Sequence, residues 1–260
     1  MIEILNDEYE HPAFPQPADR NALIWRYQDF DKFESLVMTG RVYMRRADLF
    51  NKDQFEGTTP QGEVDYWKQL ADNAATPEER ATLEHNRAEI AEYAEHFRKH
   101  YFVNCWNMAP DENVAMWERY TSGPESVVMR SRYGLYAKQF HRGATNVGQV
   151  TYIDYSLSAL PGMNILHRIT HKRHFFRDEQ EVRAVVCSEC PAEIKAQLID
   201  PHMMADGCGY APPVNVVELI EAVVLHPDAT PEFTKKVTAF CAAHKLPAPI
   251  ASAMASRPQF

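Results

Sequence analysis

The stretch His174-Phe175-Phe176-Arg177-Asp178-Glu179-Gln180-Glu181-Val182-Arg183-Ala184-Val185-Val186 constrains this chain more than any other. Side chains alternate across a strand, so a strand here sets Glu179, Glu181 and Arg183 on one face and Val182, Ala184 and Val186 on the other. A carboxylate pair on a rigid element can bind a sugar hydroxyl, hold a cation or do acid–base work, provided its surroundings set the two pKa values apart. The structural alternative is a solvated edge strand whose Glu and Arg pair across its face.

A length of 260 residues can bury a sizeable core, and 45% hydrophobic with 11% aromatic residues argue against disorder. The expected organisation is an extended N-terminal arm over 1–20, carrying three prolines, followed by one domain over 21–260 with a helical insertion at about 62–100. The net charge of -9 disfavours unselective binding to nucleic acid or an anionic membrane. The first eight residues lack a basic and then apolar leader, and no run is apolar enough to span a bilayer, so a cytoplasmic location without membrane association is expected. The five cysteines are then expected to be reduced, unbridged and metal-free.

Strand character is read at Leu23–Tyr27, Val42–Arg45, Tyr101–Trp106, Val127–Arg130, Val150–Ile153, Val182–Cys187 and Ala222–Leu225. Helices are predicted after Asp29 or Asp31 up to Gly40, from Glu112 to Tyr120 with Val114, Met116 and Trp117 inward, around Asn164 to Lys172, and from Pro231 to His244 behind a Thr230 cap. Thr76-Pro77-Glu78-Glu79 starts one of two helices in the charged 62–100 segment. Strands separated by helices of uneven size indicate an α+β fold.

Other constellations carry less. His167, His171 and His174 sit among Arg168, Lys172 and Arg173, which suggests a basic patch for phosphate rather than a metal site, against a solvated helix face. Cys187-x-x-Cys190 could be half of a zinc site, but a second close pair of matching spacing is missing unless Cys241-x-x-His244 folds back. Trp106, Trp117, Tyr120 and Tyr133 could stack on a base or simply be core. Phosphate-loop, dinucleotide-fingerprint and nucleophile-elbow motifs are absent.

The ordered motifs Trp25-Arg26-Tyr27, Leu36 to Gly40, Val42-Tyr43-Met44-Arg45, Phe50 to Gly57, Cys105-Trp106, Met116-Trp117-Glu118-Arg119-Tyr120 and Glu179-x-Glu181-Val182-Arg183 resemble a bacterial family known as domain of unknown function 2971. The resemblance runs over roughly residues 23–228, omitting much of the helical insertion. More distantly, the motifs resemble the signature elements of ADP-ribosyltransferases of the arginine, serine, glutamate type. That resemblance implies an ADP-ribosyltransferase-like split β-sheet core with flanking helices, and NAD as substrate with no metal. It implies that Arg26, with its neighbour Tyr27, contacts NAD, that Tyr120, Thr121 or Ser122 supports the nicotinamide ribose beside Trp117, and that Glu181 is the catalytic carboxylate. Tyr120-Thr121-Ser122 follows a helix-like segment, where that superfamily has a Ser-Thr-Ser strand.

The physical case runs parallel. Loss of nicotinamide from NAD passes through an oxocarbenium-like sugar, which a carboxylate at Glu181 would stabilise. Glu179 could orient or deprotonate an acceptor, and the Arg26 guanidinium could grip a diphosphate in a fork. The structural alternative for Arg26 is a buried partner such as Asp48 or Glu56. Two other functions stand beside the transferase reading: a non-catalytic nucleotide-sensing or protein-interaction module in a bacterial defence or toxin system, and a metal-dependent hydrolase or nuclease. The acceptor of any transferred group, protein or nucleic acid, stays open.

Overall fold

The computed structural model describes residues 10–51, 53–162 and 164–255. In chain order the first elements are β1 (Leu23–Asp29), α1 (Phe30–Thr39), β2 (Met44–Arg46), the hairpin α2 (Gln61–Asp72) and α3 (Pro77–Arg98), β3 (Tyr101–Met108), α4 (Val114–Tyr120), β4 (Ser126–Arg132) and α5 (Tyr133–Lys138). They continue with β5 (Thr145–Gln149), β6 (Thr151–Ile153), α6 (His167–Thr170), β7 (His171–Arg173), β8 (Glu181–Cys187) and α7 (Ala192–Ile194). The chain closes with β9 (Gly209–Tyr210), α8 (Val216–Leu219), β10 (Ala222–Leu225) and α9 (Pro231–Ala243). The fold is mixed α+β, built on a large antiparallel sheet with helices around it. No helix among the described residues is long and apolar enough to cross a membrane.

Eight strands form the sheet, and β3 is its branch point. One edge of β3 pairs with β8 from Tyr101 to Asn107. The other edge is shared, β2 taking Phe102 and Val103 and β1 taking Asn107 and Met108. Between them residues 104–106 have no strand partner on that edge, so the sheet splits open beside Cys105. Asn104 spans part of the split by donating from Nδ2 to the Tyr43 carbonyl at 2.8 Å. β6 and β7 form a separate parallel pair.

Alternation sorts the faces. Phe102, Trp106, Val182, Ala184 and Val186 enter the main core with Phe30, Phe33 and Leu36 of α1, Tyr133 and Tyr136 of α5, and Phe233, Val237 and Cys241 of α9. Tyr101, Val103 and Val185 face the opposite side with Phe14 and Ile169. Trp25 and Tyr27 pack with Met116 and Trp117 of α4.

Local signals account for many boundaries. Gly40 ends α1 in the left-handed region at φ 62°, its N–H bonded to the Leu36 carbonyl, a conformation that glycine adopts without a Cβ penalty. Thr76 caps α3 by accepting from Glu79 N at 3.1 Å while Glu79 Oε2 accepts from Ala75 N at 2.7 Å, a reciprocal pair. Thr230 caps α9 through Phe233 N at 3.1 Å.

Several expectations need correction. The helix read over Asn164 to Lys172 shrinks to the four residues of α6, because residues 171–173 turn extended and pair with β6. Tertiary pairing overrides helix propensity there. Val114 is 56% exposed rather than inward, since α4 begins at that residue directly after its Asn113 cap. Glu179 does not lie on the strand: it ends a short 3-10 turn over His174–Glu179, and Gln180 at φ 38° separates it from β8. β8 is not a solvated edge, because β3 and β5 pair with it on both sides, and its charged face is buried under Lys172 and Glu56.

The expected N-terminal arm lies outside the described residues over 1–9, but the rest of it is docked. Phe14 is buried, Pro15 accepts from Gln149 N at 2.8 Å, and Gln16 Nε2 donates to the Val147 carbonyl at 2.8 Å. This arm covers β5, a strand that the apolar pattern did not reveal. Gly148 permits the contact, for a Cβ there would stand 2.7 Å from the Phe14 Cβ.

Candidate functional site

A cavity of about 490 Å³ opens at the split in the sheet. That volume lies within the range of about 300–1,000 Å³ common for small-molecule sites. Its walls come from distant parts of the chain: Arg26 and Tyr27 on β1, Tyr43 and Arg45 at β2, Cys105 and Asn107 on β3, Tyr120 on α4, Lys172 on β7, then Phe176, Glu179 and Glu181.

One wall is a buried charge cluster. Lys172 Nζ donates to Glu179 Oε2 and to Glu181 Oε1, the latter at 2.6 Å, and stands 4.0 Å from Glu56 Oε2. Arg183 donates from Nε to Glu181 Oε2 at 2.6 Å, from Nη2 to Glu56 Oε1, and from Nη1 to the Ile169 carbonyl at 2.7 Å. Glu179 Oε1 accepts from Arg119 Nη1 and from the Tyr120 hydroxyl, both at 2.9 Å. Asn107 Nδ2 donates to the Glu179 carbonyl at 2.6 Å, and the Tyr152 hydroxyl accepts from Glu181 N at 2.9 Å.

Three carboxylates thus face two deeply buried cations, with Arg119 at the rim. Burial opposes ionisation of Glu181, yet Arg183 and Lys172 hold its carboxyl well below the usual range. Burial, and then the adjacent Glu181 carboxylate, push Glu179 up to about 7 against the pull of Lys172. Burial also raises Glu56, opposed by Arg183 and Lys172. Burial would lower Lys172, but Glu181 and Glu56 more than reverse it. The cluster therefore separates a fixed anion, Glu181, from a proton-exchanging group, Glu179.

The other wall is cationic. Arg26 donates from Nη1 to the Cys105 carbonyl at 2.7 Å, in the gap between β1 and β2, and from Nε to Gln28 Oε1 at 3.3 Å. Arg45 donates from Nε and Nη2 to the Leu49 carbonyl at 3.2 and 2.9 Å. Among the described residues neither guanidinium has a carboxylate partner, and burial depresses the Arg26 pKa. The partners considered for Arg26 are taken by others: Asp48 pairs with Arg46, and Glu56 with Arg183.

Of the residues singled out in the sequence, Arg26, Tyr27, Tyr120, Glu179 and Glu181 line this one cavity. Trp117 lies behind it, edge-on to Tyr27 at 5.1 Å. Thr121 and Ser122 are turned away: the Thr121 hydroxyl donates to the Trp117 carbonyl at 2.7 Å, and Ser122 bonds to Asp29. The basic run around His171 is not an anion patch, because its cations are spent internally. Lys172 serves the cluster, Arg173 Nη2 meets Asp53 Oδ1 at 2.7 Å, and Arg168 Nη2 meets Glu63 Oε1 at 3.2 Å.

Sequence reasoning missed Lys172, Asn107 and Arg45 as cavity residues. Lys172 falls in the segment whose pattern predicts a helix, so its inward direction carries no signal. Arg45 and Asn107 carried one: each sits at or beside a strand that also bears the quoted Val42–Arg45 and Cys105-Trp106 motifs.

No protein-family model matches the chain, and comparison with curated proteins returns no match.

Proposed function

We propose that the cavity binds NAD or a related nucleotide and that the chain is an ADP-ribosyltransferase-like enzyme, as the distant motif resemblance implies. The observation that carries this reading is the polarity of the cavity: Arg26 and Arg45, guanidiniums without carboxylate partners among the described residues, on one side, and the Glu179–Glu181 pair on the other. A diphosphate compensates the first, and a sugar that becomes cationic as its glycosidic bond breaks is stabilised by the second. Tyr27, Tyr43 and Phe176 offer aromatic surface between them.

Within that reading the roles are divided by protonation. Glu181 supplies a permanent negative charge but has both oxygens held by Lys172 and Arg183. Glu179 can accept and return a proton near neutral pH, so acid–base work falls to it. The split of the sheet at β3 is compatible with an ADP-ribosyltransferase-like core.

Calorimetric titration with NAD and with ADP-ribose tests the binding step. Saturable binding is expected, weakened at least about tenfold by Arg26→Ala, which removes a charge-assisted contact. A folded wild-type protein that binds neither compound would sink the proposal. The second reading, a nucleotide-binding module without turnover, is favoured by the full engagement of the Glu181 oxygens; binding without nicotinamide release would select it.

A further inference from the structure

Far along α3 from its Thr76 cap, His96 in its last turn and His100 just past its end stand four residues apart and so share one side. That turn continues past Arg98, with Lys99 N bonded to the His96 carbonyl at 3.0 Å and His100 N to the Phe97 carbonyl at 2.9 Å. The turn after β8 brings Glu189 to the same spot. Both Nε2 atoms lie 3.5 Å from Glu189 Oε1, and the candidate donor atoms all fall within 4.8 Å of one another.

These separations are long for hydrogen bonds. They are close to the edge of about 3.3–3.4 Å in a tetrahedron whose metal–ligand bonds are about 2.0–2.1 Å. The arrangement is also held from behind. His100 Nδ1 lies 3.0 Å from Ser188 Oγ, and Ser188 N donates to the His100 carbonyl at 2.9 Å, so the ring presents Nε2 to Glu189. Outer partners of this kind fix the tautomer and orientation of metal-binding imidazoles. The His96 ring tilts onto that of His100 at 4.5 Å, turning the two donors the same way.

We propose that His96, His100 and Glu189 bind one divalent transition-metal ion of the zinc class, with the remaining coordination left to solvent. Two imidazoles and one carboxylate suit zinc, nickel or copper and not magnesium, which prefers oxygen donors alone. The ion would clip the end of the helical hairpin to the end of β8, tying the insertion to the sheet. The donors differ from the Cys187-x-x-Cys190 pair that the sequence suggests, although Glu189 lies inside that tetrapeptide.

The test is calorimetric titration of untagged, chelator-treated protein with zinc sulfate, repeated with magnesium chloride. One zinc ion per chain and no magnesium binding are expected. His96→Ala and Glu189→Gln should each weaken zinc binding at least about tenfold, while a Cys187→Ser/Cys190→Ser double variant should bind as wild type. Zinc should also raise the melting temperature of the wild type and not that of His96→Ala. His96 is about half exposed, so its loss leaves the fold intact, which circular dichroism checks. No zinc binding by the wild type, undiminished binding by His96→Ala, or binding lost with the two cysteines would each overturn the site.

Discussion

Lys172 Nζ lies 2.6 Å from Glu181 Oε1, and the same ammonium also serves Glu179 while both carboxylates line the cavity. A charge taken this far from water is tolerated because its partners are in place, and removing one partner exposes the full desolvation penalty of the rest. The cluster therefore ties the stability of the fold to the chemistry of the site.

Lys172→Met should destabilise the protein by about 3–5 kcal/mol, since three buried carboxylates would then depend on Arg183 and the rim residue Arg119. Chemical denaturation measures this directly. A loss under about 1 kcal/mol, the range of a surface ion pair, would show that the cluster is far better hydrated than its geometry indicates.

The pH dependence of stability should carry the signature of Glu179. Its carboxyl titrates at about 7 in the folded chain against an ordinary value of 4.5. Between these two values the folded state keeps a proton that the unfolded state has released, so stability falls as pH rises through the window and levels off above it. Glu181 acts oppositely: held low, it contributes stability that is lost as pH falls below its ordinary value. Buried histidines such as His171, whose pKa burial lowers, also work against the Glu179 trend. The difference between wild type and Glu179→Gln isolates the group. Relative to the variant, the wild type should lose stability steadily as pH rises from 4.5 to 7. A flat difference across that range would contradict the assignment.

Much of the fold was legible because local signals and tertiary needs agreed. The Thr76 and Thr230 caps, the Gly40 stop and the apolar runs at β1, β3, β8 and β10 are read from neighbouring residues alone. Glu181 and Arg183 do alternate with Val182 and Ala184, though the burial of both faces does not follow from that alternation. Whether a polar face is wet depends on what covers it, and here the cover comes from Lys172, nine residues before Glu181, and from Glu56 and the arm around Phe14, both remote in sequence. Lys172 reads as one more cation in a basic run, and only the β6–β7 pairing turns it inward. The short strand β5 is hidden for a related reason: Asn146 and Gly148 carry little strand propensity, and partners on both sides define it.

Gly148→Ala should destabilise the protein by about 1–3 kcal/mol, because the added Cβ meets the Phe14 backbone at 2.8 Å and neither side can yield freely. The same substitution should release the arm and raise its sensitivity to limited proteolysis near Phe14. An unchanged cleavage pattern and melting temperature would mean that the arm does not depend on this contact.

The geometry also decides which carboxylate gives the cleaner probe of chemistry. Glu181→Gln removes the charge that balances both Lys172 and Arg183, so lost turnover there would be mixed with lost structure. Glu179→Gln removes the group with the raised pKa and leaves the Glu181 pairs intact. The most direct measurement is therefore release of nicotinamide from NAD by purified wild type and by Glu179→Gln, with NAD affinity measured in parallel. The wild type should turn NAD over, and the substitution should lower kcat about a hundredfold or more with binding retained within a few fold. Equal turnover by the two proteins, or none by a folded wild type that binds NAD, would contradict this expectation.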